Sequence, residues 1–196
     1  MCRIAIFASG NGTNAQHISE YFKGNQHVRV DLILSNNPGA YVLERANDLK
    51  IPGVSFTRKE LYETNYVLDL LSVQNITHLV LAGFLWLIPE KILRPYRGRI
   101  INIHPALLPK FGGKGMYGMR VHEAVIASGD RESGITIHHV NERYDEGSVL
   151  FQARCPVAPD DTPETLAGKI HQLEYRHFPA VIEQVIMGKT IEGNPE

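Results

Sequence analysis

Along the chain, apolar runs of strand length alternate with segments whose apolar residues recur at helical spacing. Residues 3–8 (RIAIFA), 28–35 (VRVDLILS), 78–83 (HLVLAG) and 99–104 (RIINIH) are short and largely apolar, as strands buried within a parallel sheet are. A shorter strand is predicted near 54–56. Helices are predicted at 14–22, 42–49 and 59–73, the last carrying Leu61, Val67, Leu70 and Leu71 on one stripe, with a short helical piece at 89–93. This alternation predicts an α/β fold: a Rossmann-like, mainly parallel sheet with helices on both faces.

The rhythm changes after residue 104. Pro105 stops the fifth strand, and a Gly-rich stretch at 111–118 leads to a short helix at 121–127. Two strand candidates follow, 135–140 and 148–157, which add antiparallel pairing to the C-terminal part. A last helix starts near Thr162 and carries Leu166, Ile170, Leu173, Phe178, Val181, Ile182 and Val185, with Pro179 at a place where a kink is expected. No repeat and no linker divides the chain. Its 196 residues fit one domain with halves at 1–100 and 101–196.

Composition narrows the partners. Twenty basic against 21 acidic side chains leave a net charge of -1, which argues against a broad nucleic-acid surface. Two cysteines, Cys2 and Cys155, make no disulfide framework or zinc-ribbon spacing. No run approaches the roughly 20 apolar residues of a membrane span. A cytoplasmic location with no nucleic-acid or membrane partner is expected. Nine histidines are more than such a chain ordinarily carries, so the chemistry is sought among them.

Three constellations stand out. The first is SGNGTN at 9–14, between the first strand and a helix. Ligands bind at this edge of open α/β sheets, and glycine lets free backbone N–H groups approach an anion. The second strand ends Ser35-Asn36-Asn37 without the carboxylate of a dinucleotide site, and no Gly-Lys-Ser/Thr is present. A phosphate monoester fits better, although a plain capped turn would look the same.

The second is Asn102-Ile103-His104-Pro105. Positions i and i+2 of a strand share a face, about 7 Å apart, so an amide and an imidazole project together at the strand's carboxyl end. Such a pair suits negative charge developing on a carbonyl oxygen, or serves only structure. The third is GITIHHV at 134–140 followed by Tyr144-Asp145-Glu146-Gly147. Here a turn holds a carboxylate at a loop tip, with Gly147 expected to allow an unusual backbone. If that tip meets His104, the carboxylate orients the imidazole and favours its protonated form. A metal would require His104, His138 and a carboxylate to converge, and none is expected.

In this order, and over nearly the whole chain, these segments resemble the folate-dependent formyltransferases, and within them the glycinamide ribonucleotide group. SGNGTN at 9–14 is similar to that group's ribonucleotide phosphate loop, and LAGFLWLIP at 81–89 to its folate-binding segment. INIHPALLPKFGG at 101–113 and GITIHHVNERYDEGSVL at 134–150 are similar to its active-site signatures. The resemblance implies formyl transfer from 10-formyltetrahydrofolate, a co-substrate, to the amine of a glycinamide ribonucleotide in purine synthesis. It implies no metal, no covalent enzyme intermediate and no tightly bound cofactor. Asn102 would donate to the formyl oxygen, protonated His104 would stabilise the oxyanion, and Asp145 would hold His104 and help the proton leave the attacking nitrogen. Gly12, Thr13 and Asn14 would cradle the phosphate, and Glu174 would accept from ribose hydroxyls. Leu85, Trp86, Leu87 and Ile88, with Val140, Asn141 and Tyr144, would line the pterin site, and Thr136 and His138 would support it.

Four positions depart from the group's usual residues: His139, Glu146, His171 and Trp86. The stretch 110–120 is expected to be mobile and to close over substrate. Among relatives, methionyl-tRNA formyltransferase adds a basic domain and formyltetrahydrofolate hydrolase a regulatory one. The length of this chain favours neither. A non-catalytic nucleotide-binding domain would leave Asn102, His104 and Asp145 unexplained. A monomer or homodimer acting on small molecules is expected, with activity falling at high pH if His104 works as a cation.

Overall fold

The computed structural model describes residues 1–191. The chain divides into two compact units, Met1–Ile101 and a second beginning at Asn102. The first contains β1 (Cys2–Phe7), α1 (Thr13–Tyr21), β2 (Val28–Ser35), α2 (Tyr41–Asp48), β3 (Gly53–Ser55), α3 (Arg58–Tyr62), α4 (Tyr66–Val73), β4 (His78–Leu81) and α5 (Glu90–Leu93). β5 (Ile100–His104) starts in this unit and ends in the second. The second adds α6 (Met119–Ser128), β6 (Glu132–His139), β7 (Val149–Pro156) and α7 (Pro163–Ile186). The seven strands form a mainly parallel sheet, and β7 runs antiparallel to β6.

In the first unit the order is β3-β2-β1-β4, all parallel. Ile4, Ile6, Phe7, Leu32, Ile33, Leu34, Leu79 and Val80 are buried, which explains why these strands read as apolar on both faces. The chain leaves β1 outward through β2 and β3, then returns to β4 on β1's other side. That reversal is the kind of switch point at which open α/β sheets bind ligands, beyond the carboxyl ends of the strands, and segments 8–14 and 82–89 follow β1 and β4 there.

One predicted element is corrected. The helix expected over 59–73 is two helices, α3 and α4. Thr64 Oγ1 takes the Tyr66 N–H and donates to the Glu60 carbonyl, so a side chain replaces the helical ladder at the break. α3 opens with a Thr57–Glu60 capping box.

In the second unit, β6 begins three residues earlier than the periodicity predicts, because Glu132, Ser133 and Gly134 pair with Pro156, Cys155 and Arg154. The register slips between Ile137 and His138, and an irregularity of this kind re-aims the side chain beside it. α7 opens on reciprocal Thr162 and Thr165 contacts with Pro163 in its first turn, and continues through the buried Pro179. No helix among the described residues is long and apolar enough to cross a membrane.

Candidate active site

Asn102 and His104 lie on β5 with one residue between them, and both reach partners within the second unit. Asn102 Nδ2 donates to His138 Nε2 at 3.0 Å. His138 Nδ1 in turn donates to the His139 carbonyl at 2.8 Å, which leaves Nε2 as the acceptor and fixes both the tautomer and the Asn102 amide. His104 Nε2 donates to the Phe111 carbonyl at 2.8 Å, and its Nδ1 lies 3.5 Å from Asp145 Oδ2. His138 Nε2 is 3.7 Å from Asp145 Oδ1. The carboxylate thus faces two imidazoles while it accepts the Gly113 N–H at 2.9 Å.

The loop before β7 is built to hold that carboxylate. Asp145 adopts φ 57°, a left-handed conformation that Asp tolerates better than most side chains. Gly147 is needed for a different reason from the expected backbone freedom: a Cβ there would stand 1.5 Å from the His139 carbonyl oxygen. Asn141 Oδ1 accepts the Arg143 N–H, and the exposed Arg143 and Glu146 pair at 3.2 Å. Val140 and Tyr144 are half-buried on the same loop.

Burial sets the charges. His104 and His138 are 4% and 2% exposed. Burial holds the His104 imidazole below its ordinary value, although Asp145 and the Phe111 carbonyl pull it upward. Burial also works against the Asp145 charge. The neighbouring His138 and His104 rings and the Gly113 N–H outweigh it, so the carboxyl lies below the usual range. The free site therefore pairs a neutral imidazole with an ionised carboxylate at neutral pH, where the sequence suggested an imidazolium. His104, His138 and Asp145 do converge, yet no group of three or more His, Cys, Asp or Glu suited to a metal occurs among the described residues.

Thr136 braces the turn after His104. Its Oγ1 donates to the Ala106 carbonyl at 2.7 Å and accepts from Leu108 N–H at 3.0 Å and Gln152 Nε2 at 2.9 Å. Gln152 was not legible from its own neighbours. It faces Thr136 through the β6–β7 register, a pairing that alternation alone does not give. The Phe111 carbonyl and Gly113 N–H were equally hidden, being backbone groups. Glu174 is buried on α7.

In the first unit, loop 9–14 joins β1 to α1 at the switch point of the sheet. Gly12 caps α1 with φ 79°, and a Cβ there would come within 2.2 Å of Val42. The loop's fold thus demands glycine twice over. α1 has no side-chain cap hydrogen bond and no acid in its first turn, which includes Thr13 and Asn14, so its amino end suits an anion. Ser9 Oγ accepts the Leu85 N–H at 3.0 Å, tying this loop to segment 82–89. Leu85 is 41% exposed, whereas Ile88 is buried. Trp86 packs against Phe56, Tyr62 and Phe84, and the Leu87 carbonyl accepts from the Tyr62 hydroxyl at 2.9 Å.

A family profile described as formyl transferase matches residues 2–182. The chain is 41% identical over 187 residues to a chloroplastic phosphoribosylglycinamide formyltransferase of Vigna unguiculata, covering 92% of this chain and 60% of that protein. The chain thus spans about three fifths of that plant relative's length. It is 34% identical to the phosphoribosylglycinamide formyltransferase of Haemophilus influenzae, covering 96% of this chain and 89% of that one. Among solved structures, the phosphoribosylglycinamide formyltransferase of Streptococcus pneumoniae superposes with a TM-score of 0.83 at 37% identity, over 94% of this chain and 99% of the other.

Proposed function

The chain belongs to the formyl transferase family, and from that premise we propose that it moves the formyl group of 10-formyltetrahydrofolate to the amine of glycinamide ribonucleotide in purine synthesis. The observation that carries this reading is the convergence of Asn102 and His104 with Asp145, in a family whose relatives are named for that transfer. The two substrates are small molecules. The folate leaves with each turnover, and no tightly held cofactor takes part.

In this reading the amine attacks the formyl carbon, and the carbonyl oxygen takes up negative charge between the second Asn102 N–H and the His104 Nε2–H. Donors already held in place lower the barrier because they need no reorganisation as charge develops. The Phe111 carbonyl now accepts the His104 Nε2–H, so it has to withdraw before the formyl oxygen takes that bond. Asp145, ionised, receives the proton of the attacking nitrogen through water, and transfer onward to His104 Nδ1 turns the imidazole cationic when the oxyanion needs it. Collapse then expels the folate nitrogen, which takes that proton from His104 and Asp145 through water and returns the imidazole to its neutral form. No metal or covalent enzyme species enters.

Gly12, Thr13 and Asn14 take the phosphate, and Glu174 accepts from the ribose hydroxyls. Exposed Leu85, the backbone of Trp86, Leu87 and Ile88, and Val140, Asn141 and Tyr144 line the pterin site, with Thr136 and His138 bracing the catalytic pair. The decisive experiment offers glycinamide ribonucleotide, water and initiator methionyl-tRNA to the chain with 10-formyltetrahydrofolate. Formylation of the ribonucleotide at a rate far above the other two is expected, and a preference for water or tRNA would overturn the reading.

A further inference from the structure

Arg45 lies on α2, and its guanidinium is spent on loop 9–14. Nε donates to the Asn11 carbonyl at 2.9 Å and to Asn11 Oδ1 at 3.2 Å, while Nη2 donates to the same Oδ1 at 2.6 Å. Nη1 donates to Gln16 Oε1 on α1, and the guanidinium lies 4.9 Å from the centre of the Tyr41 ring. All of these oxygens are neutral, and among the described residues no carboxylate pairs with it. A fixed positive charge therefore stands at the loop with no carboxylate partner among the described residues.

The contacts also set the backbone. A trans peptide points its C=O and N–H in opposite directions, so an Asn11 carbonyl turned to Arg45 sends the Gly12 N–H away from α2. Val42, three residues earlier on α2, makes the close approach that excludes a Cβ at Gly12, and its N–H donates to the Gly10 carbonyl at 3.1 Å. α2 thereby fixes three consecutive residues of the loop, Gly10, Asn11 and Gly12.

We propose that Arg45 is a positioning residue for the substrate's phosphate, holding the peptide between Asn11 and Gly12 in its anion-binding orientation and giving the loop a positive charge. This rests on the reading of loop 9–14 as the phosphate site. Lysine cannot reproduce it fully, because one ammonium does not fork onto the Asn11 carbonyl and side chain together.

The test compares wild type, Arg45→Gln and Arg45→Lys on glycinamide ribonucleotide and on glycinamide riboside, the same acceptor without phosphate, and measures inhibition by inorganic phosphate. Arg45→Gln is expected to raise KM for the ribonucleotide and the inhibition constant of phosphate about tenfold. Its kcat and its turnover of the riboside should stay within about twofold, which also reports an intact fold. Arg45→Lys is expected to fall between the two. Unchanged ribonucleotide KM and phosphate inhibition in Arg45→Gln would overturn the proposal, as would full recovery by lysine or an equal loss on both acceptors. If wild type itself neither prefers the ribonucleotide nor responds to phosphate, the phosphate-site reading fails first.

Discussion

His104 sits between two acceptors of different kinds, a neutral carbonyl on one ring nitrogen and a carboxylate facing the other. The carbonyl demands a proton on Nε2, and the carboxylate rewards a second proton on Nδ1, but burial penalises the charge that results. Two outcomes follow. An NMR titration of the His104 ring is expected to give a midpoint below the ordinary 6.5, and Asp145→Asn should lower it further by removing the charge that raises it. A midpoint unmoved by that variant would contradict the coupling. In catalysis, Asp145→Asn and His104→Ala are each expected to reduce kcat about a hundredfold or more, the usual range for losing a proton-transfer or oxyanion group. Near-wild-type turnover in either variant would remove that residue from the mechanism.

The elements that deliver these residues matter as much as their identity. Asp145 reaches His104 because the loop at 140–148 folds tightly onto the end of β6, with Gly147 against the His139 carbonyl and Ser148 accepting the His139 N–H at 2.9 Å. Gly147→Ala puts a methyl group into a backbone oxygen that cannot step aside, so the loop has to move and carry Asp145 with it. A loss of kcat comparable to Asp145→Asn is expected, together with about 2 kcal/mol or more of stability lost in urea denaturation. Full activity in that variant would show that the loop accommodates the methyl without displacing the carboxylate. The sequence marked Gly147 as special but gave the wrong reason. The left-handed residue is Asp145, and Gly147 is required by proximity to a strand that only the folded chain brings near. The break between α3 and α4 was hidden for a related reason. The apolar spacing of 61–71 continues across it, while the Thr64 hydroxyl decides locally against a single helix.

Over the whole molecule, buried histidines make stability depend on acidity. His122 lies 3% exposed on α6, with its Nδ1 unpartnered, and burial together with the nearby His171 and His104 pushes it down to about 4. Buried His104 and half-buried His78 and His177 also lie below the ordinary value, mainly through burial. Between about pH 6.5 and pH 4 the unfolded chain therefore binds more protons than the folded one, so stability is full above that window and is lost as pH falls through it. His122 alone accounts for roughly 3 kcal/mol by the lower end. Urea denaturation at pH 7 and near pH 4.5 should show this loss, and His122→Gln should flatten the slope; an equal slope in the variant would place its origin elsewhere. The sequence by itself determined the alternation of strands and helices, the loop after β1 and the chemical types on β5 and in the loop at 140–148, because periodicity and turn chemistry act over a few neighbours. Only the tertiary structure decided which nitrogen of His104 faces Asp145, that Phe111 and Gly113 contribute backbone groups, and that Arg45 holds Asn11. Those contacts join residues far apart in the chain, and burial, which sets the charge of His104, is a property of the packed molecule and not of any local string of residues.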